Sequence, residues 1–250
     1  MMSDDPIVIV GMARTPMGGF QGALAPLTAP ELGAAAVKAA VAHSGVNVGD
    51  VDEAIMGCVL PAGQGQAPAR QAVLGADLPQ SVGCTTINKM CGSGMRAVMM
   101  AHDQMMAGSS EVMIAGGMES MSNAPYLLPK AREGLRMGHG NVMDHMFLDG
   151  LEDAYDKGKL MGVFAEACAS QYQFSREAQD EFAITSLKRA QTAIDDGSFA
   201  SEITAVEVTT RKGSVTVAED EQPKKANLEK IPTLRPAFDK EGTVTAANAS

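Results

Sequence analysis

The 250-residue sequence predicts an α/β fold, a mostly parallel sheet covered by helices and joined to a second, more polar region. Two observations predict it. Over the first 119 residues, apolar runs a few residues long alternate with helix-like stretches four times, and such strands belong to sheets buried on both faces. The charge density then changes: the first 120 residues carry 15 charged side chains and the remaining 130 carry 35. The change falls just after "AGGMESMS", so a domain boundary is expected there, with an interior-forming first part and a covering second part.

The elements follow in order. Ile7–Val10 reads as a buried strand. Thr28 and Glu31 have capping-box spacing ahead of "LGAAAVKAAVAHSG", and Gly45 stops that helix. Ala54–Val59 reads as a second strand and "APARQAVLGA" as a short helix. Cys84–Asn88 is a third strand, Cys91–Ala107 a helix ending at Gly108, and Glu111–Gly116 a fourth strand. The helix after Cys91 is apolar nearly all round, which predicts burial on most faces. Nine of the 18 methionines lie between Met90 and Met121, and adaptable core filling is their simplest use. From Met121 to about Lys159 the pattern breaks up, too long for an ordinary connection, as an excursion over a site or a partner subunit would. Ser175 caps "REAQDEFAITSLKRAQTAIDDG", with Ala183, Leu187, Ala190 and Ile194 on one face and Gly197 as its end. Ile203–Val208 and Ser214–Val217 read as short strands, followed by a charged loop.

Several function classes are excluded as expectations. A formal charge of −10 lacks the basic face of a nucleic-acid binder, while leaving room for a local patch that meets an anionic small ligand. The acidic start is no signal peptide, and no apolar run approaches the ~18 residues that span a bilayer. A soluble, cytoplasmic protein is expected. The four cysteines, Cys58, Cys84, Cys91 and Cys168, show neither CxxC pairing nor metal-ligand spacing, so no metal and no disulfide framework is expected.

Chemistry points to Cys91. It precedes Gly92-Ser93-Gly94 at a helix start, where free backbone N–H groups favour a thiolate and small residues leave room for a substrate. Position alone leaves both an inert thiol and a nucleophile open. The helix dipole contributes at most ~2 kcal/mol, so a working nucleophile also needs a base. His43 closes an outer helix, His102 lies about three turns along the helix from the cysteine, and His139 and His145 fit surface or interface positions. No base is evident. Cys58, Cys84 and Cys168 look structural. Glu119, unusual after a buried strand, fits an orienting role toward backbone or a polar neighbour.

At these residues the sequence resembles the thiolases, the acetyl-CoA C-acyltransferase family. "INKMCGSGMRAV" matches the family's nucleophile signature. "ARTPMGGFQGALA", "GCVLPAGQGQAPARQA", "IAGGMESMSNAPY", "FSREAQDEFA" and "LRPAFDKEGTVTAANAS" resemble further family segments in the family's order.

The resemblance implies a thiolase fold of two similar α/β halves, with this chain supplying the N-terminal βαβαβαβ half (1–119), an inserted CoA-binding loop domain (120–247) and a return to the core (248–250). It implies that Cys91 accepts an acyl group from acetyl-CoA as a thioester. The group then passes to a second acetyl-CoA, giving a short-chain 3-ketoacyl-CoA such as acetoacetyl-CoA, or the cycle runs in reverse as thiolysis. CoA thioesters are substrates and no cofactor is implied. By position, Leu151, Met161, Leu234, Ala237, Phe238, Ala246 and Ser250 line the pantetheine channel, with Ser250 bonding the pantetheine amide. Arg211, Lys212, Lys224, Lys225 and Arg235 either meet CoA phosphates or form solvated surface.

Two departures stand out. Leu160 replaces a histidine that many short-chain biosynthetic members carry before Met161-Gly162, which leaves the preferred acyl length open. The family's activating histidine and second cysteine belong to its second half, so they are expected beyond Ser250. A homodimer or homotetramer is implied, with tetramer contacts around Leu135–Met146. A non-catalytic half-thiolase that binds CoA or a partner remains the alternative. A decarboxylating condensing enzyme fits "GGMESMS" and "GTVTAANAS" less well.

Overall fold

The computed structural model describes residues 6–211 and 213–249. They fall into two compact units that interleave along the chain. One comprises Met1–Met146 with Ser201–Glu219, the other Phe147–Ala200 with Asp220–Ser250. The linear limits expected at 119 and 247 and these contact-defined limits are different partitions of the same chain.

The first unit is organised by a three-stranded parallel sheet. Its strands are β1 (Glu53–Gly57), β2 (Gly83–Ile87) and β3 (Met113–Gly117), in the order β2-β1-β3. After Glu53 the central strand is apolar because both its faces are covered, and Ala54 and Ile55 are fully buried. Helices α1 (Ala29–Ser44), α2 (Pro68–Gly75) and α3 (Ser93–Met106) provide the cover. The start of α1 is the expected capping box: Glu31 N–H donates to Thr28 Oγ1, and Thr28 N–H donates to the Glu31 carboxylate. Gly45 ends the helix in the left-handed conformation (φ 68°). Val37, Ala54, Met56, Ala72, Val73 and Val82 form the main core between these helices and the sheet.

Three of the four strands expected over the first 119 residues are present. Ile7–Val10 is not a strand, and Val8, Ile9 and Val10 are exposed. An apolar run becomes a strand only where a sheet edge pairs with it, and among the described residues none does. The run instead passes the end of α1, where Gly11 lies against Ala40 and Ser44 and the Met12 carbonyl meets His43 Nδ1 at 3.0 Å.

The expected burial of the Cys91 helix is corrected as well. Only Ser93, Ala97 and Ala101 of α3 are buried, one stripe at four-residue spacing. Met95, Val98, Met99 and Met106 are exposed, as are Met90 and Met121, so most of the methionine cluster fills no core. A helix lying over one face of a sheet buries only the stripe it turns toward that sheet. Its other faces need a second layer to cover them.

Between Met121 and Lys159, β4 (Tyr126–Leu127) pairs with β5 (Met143–Asp144), and Phe147–Leu151 forms a wide π-helical turn. The hairpin of β6 (Val206–Thr210) and β7 (Gly213–Val217) packs Val206 and Val208 against Leu24, Leu27 and Leu32. Arg14 pairs with Glu202 at 2.6 Å beside it.

The second unit contains α4 (Met161–Gln171), α5 (Arg176–Asp195), the short α6 (Glu221–Lys225) and a 3-10 turn over Leu228–Thr233. These last two elements occupy part of the segment expected to be a charged loop. Ser175 caps α5 by accepting from Ala178 N–H. No helix among the described residues is long and apolar enough to cross a membrane.

Candidate active site

Cys91 sits where β2 runs out and α3 begins, and its thiol is exposed. The turn that carries it is tightly specified. Met90, just before the cysteine, has φ +50°, a left-handed conformation that strains a non-glycine residue. The buried Ser93 hydroxyl holds that conformation from both sides, donating to the Met90 carbonyl (2.6 Å) and accepting from Lys89 N–H (2.8 Å). Asn88 Oδ1 accepts Met90 N–H at 2.9 Å. The helix proper starts at Ser93 with Gly92 as its cap, so Cys91 lies just ahead of the first turn and not within it. A sharp strand-to-helix turn of this kind lifts the side chain clear of the backbone.

Glycine lets this turn sit low on the sheet. A Cβ on Gly57, at the end of β1, would lie 2.5 Å from the Ser93 Cβ. Gly94 faces Gly116 and Gly117 of β3, where a Cβ would make ordinary contacts at 3.7–3.8 Å. A larger residue at Gly57 would push α3, and with it Cys91, away from the strand ends.

The orienting role expected of Glu119 is what the structure displays. One carboxylate oxygen accepts from Val59 N–H (2.7 Å) and the other from Leu60 N–H (3.1 Å), fixing the loop after β1. Asn88 Nδ2 donates to the Val59 carbonyl at 3.4 Å, so this loop and the Cys91 turn share a hydrogen-bond network. Cys58 lies in the same cluster, with its thiol 3.6 Å from the Glu119 carboxylate and accepting from Gln64 Nε2 at 3.5 Å. Burial, reinforced by the Glu119 charge, pushes the Cys58 thiol up from 9.0 to about 11, so it stays protonated and inert at neutral pH. Burial also raises Cys84. Cys168, read as structural, is exposed on α4.

The histidines do not meet Cys91. His43 contacts Met12, His102 pairs with Asp103 at 3.4 Å, and His139 is exposed. His145, expected at a surface or interface, is only 5% exposed, and its Nε2 accepts from Ala62 N–H at 3.4 Å. Among the described residues, none hydrogen-bonds the Cys91 thiol, and no His, Cys, Asp and Glu side chains cluster to hold a metal ion.

The residues expected along a pantetheine channel fall in the second unit, apart from Ser250 and the basic candidate Lys212, which lie outside the described residues. The bridge between Glu152 and Leu160 brings Leu151 toward Met161, the first residue of α4. The Phe238 ring lies flat on Gly162, where a Cβ would meet it at 2.3 Å. Ala237 N–H donates to the Val244 carbonyl at 2.9 Å, which sets Leu234–Phe238 beside Val244–Ala246. Of the basic candidates, Arg211 belongs to the first unit and Lys224, Lys225 and Arg235 to the second, where Lys225 is paired with Glu221.

Sequence reasoning missed the groups that hold this region. Glu166 of α4 accepts from Thr243 N–H (2.9 Å) and Val244 N–H (2.7 Å), while Gln179 Nε2 of α5 donates to Thr243 Oγ1 at 2.9 Å. The available signal was Arg176, Gln179 and Asp180 in "REAQD", three polar residues on one helix face with the same spacing as a buried stripe.

Comparison with known proteins supplies the wider frame. A family model described as the N-terminal domain of thiolase matches residues 7–250. An acetyl-CoA acetyltransferase from Cupriavidus necator is 51% identical over 246 residues, covering 98% of this chain and 62% of that protein. One from Rhizobium meliloti is 51% identical over 250 residues, covering 100% and 63%. The solved structure of an acetyl-CoA acetyltransferase from Syntrophomonas wolfei superposes with a TM-score of 0.88 at 41% identity, covering 96% of this chain and 60% of that one. The chain therefore spans less than two thirds of the length of these relatives. With the family model matched from residue 7 to residue 250 and both relatives identical at half their aligned positions, the chain belongs to the thiolase family.

Proposed function

We propose that the whole protein is an acetyl-CoA C-acetyltransferase in which Cys91 carries the acetyl group. The Cys91 sulfur attacks the thioester carbonyl of acetyl-CoA, the new C–S bond forms, and CoA leaves as its thiol with the proton lost by Cys91. The deprotonated methyl carbon of a second acetyl-CoA then attacks the acetyl-Cys91 carbonyl. Acetoacetyl-CoA is released and the cysteine thiol is restored. Run backward, the same steps cleave a 3-ketoacyl-CoA with CoA.

The observation that carries the reading is the exposed Cys91 thiol, held on a strained, hydrogen-bonded turn at a strand-to-helix junction in a chain of this family. By resemblance, proton removal falls to residues in the part of the relatives that this chain does not span. The 120–247 region acts as the CoA-binding loop domain, with Leu151, Met161, Leu234, Ala237, Phe238, Ala246 and Ser250 along the pantetheine arm. The protein works in the cytoplasm as a homodimer or homotetramer, with no cofactor beyond its CoA substrates.

Incubation of the complete protein with labelled acetyl-CoA, followed by peptide mass spectrometry, tests the assignment. An acetyl group on Cys91, lost in Cys91→Ala together with turnover, is expected. An active enzyme whose label lies on another residue overturns the assignment.

A further inference from the structure

The second unit contains a part-buried charge pair that the proposed reaction does not use directly. Arg176, at the start of α5, donates through Nε to Asp180 Oδ2 at 2.7 Å. Its Nη2 donates to the carbonyls of Leu234 (2.8 Å) and Ile231 (3.2 Å). The other Asp180 oxygen accepts from Asn248 Nδ2 at 2.9 Å. Asn248 in turn donates to the Thr243 carbonyl (3.1 Å) and accepts Thr245 N–H (2.7 Å). Asp180 is 5% exposed and Thr245 fully buried, while Arg176 and Asn248 on either side of Asp180 are partly exposed.

Desolvation of the buried Asp180 carboxylate offsets much of its attraction to the part-exposed Arg176, so the pair is a poor device for stability alone. What it supplies and apolar packing does not is direction. The pair and its amide fix named carbonyl and N–H groups on two separate segments, 231–234 and 243–248. Those segments flank Leu234, Ala237, Phe238 and Ala246. We propose that Arg176, Asp180 and Asn248 are positioning residues that set the spacing of the two segments and thereby the affinity for the CoA moiety. This rests on the function proposed above, and it assigns to the helix α5 motif a role in binding the substrate rather than in the chemistry at Cys91.

The test uses the complete protein. Asn248→Asp sets two carboxylates face to face and removes the donor to Thr243. It is expected to raise KM for acetyl-CoA about tenfold, with kcat changed less than about threefold. Adding Asp180→Asn restores an amide–carboxylate pair with its direction reversed, and is expected to recover most of the lost affinity. Arg176→Lys keeps the charge but loses the fork that reaches Leu234, and is expected to raise KM in the same sense. CoA itself, titrated calorimetrically, gives the same comparison without turnover. Unchanged KM and CoA affinity in folded Asn248→Asp and Arg176→Lys overturn the inference, as does a kcat loss with KM fixed. Wild-type protein that binds CoA but never acetylates Cys91 overturns the catalytic reading alone, and the calorimetric series then decides this one.

Discussion

Cys58 and Gly57 show how single residues are committed beside the Cys91 turn. In the unfolded chain a thiol gives up its proton near 9.0, whereas the folded protein retains the Cys58 proton to about 11. Between those values the unfolded state binds fewer protons, so rising pH favours unfolding. The stabilisation is complete below pH 9 and is lost as pH approaches 11. Urea melts of wild type and Cys58→Ala should therefore converge between pH 9 and 11; a pH-independent gap counts against a Cys58 thiol raised by burial and the Glu119 charge. Gly57→Ala forces a Cβ into Ser93, and overpacking of this kind costs roughly 1–3 kcal/mol. It should lower the denaturation midpoint and slow acetylation of Cys91, measured on the same samples; unchanged acetylation would separate the turn from the strand end. Cys91 and Glu119 are legible in the sequence because their local context is unusual, a cysteine before three small residues and an acid after a strand. His145 is not legible, since its partner Ala62 lies 83 residues away and only the tertiary fold joins them.

At the scale of elements, what is legible is what local chemistry decides. The capping box of α1 needs only Thr28 and Glu31, and it forms as the spacing requires. Thr28→Ala removes the acceptor for Glu31 N–H and should cost about 0.5–2 kcal/mol. Chemical denaturation measures this, and no loss would mean that Glu31 alone holds the helix start. Strands β1, β2 and β3 were also readable, because each is short, bounded by turns and paired in parallel. Ile7–Val10 has equal β propensity, yet propensity describes fit to a sheet edge that must exist elsewhere. Helix α3 errs the same way: its all-round apolarity was visible, but which stripe turns inward depends on the strands beneath it. In the second unit, Gly162 accepts the Phe238 ring at a distance that no side chain tolerates. Gly162→Ala should displace Phe238 and raise KM for acetyl-CoA before it changes kcat, in steady-state assays of the complete protein. An unaltered KM would remove Phe238 from the pantetheine assignment.

For the whole molecule, the surface left by these 250 residues has its own consequence. Val8, Ile9 and Val10, Met12 and Met17, together with Met95, Val98 and Met99 of α3, leave large apolar side chains in water. Scattered apolar residues are ordinary on a surface, but runs of them signal an interface or a tendency to associate. The charge shift near residue 120 foretold a change from interior to covering sequence, yet it could not say which apolar residues of the first unit find cover within these residues. A polypeptide of residues 1–250 alone should therefore self-associate. Its sedimentation should depend on concentration and it should bind a hydrophobic dye. Met95→Lys with Met99→Lys should weaken both effects, since neither side chain belongs to the buried stripe of α3. A polypeptide that stays monomeric and binds no dye across the micromolar range would show that these methionines are an ordinary solvated face. The complete protein should leave the dye dark if the exposed residues are covered there, and dye binding undiminished in the complete protein would mean that the cover is missing.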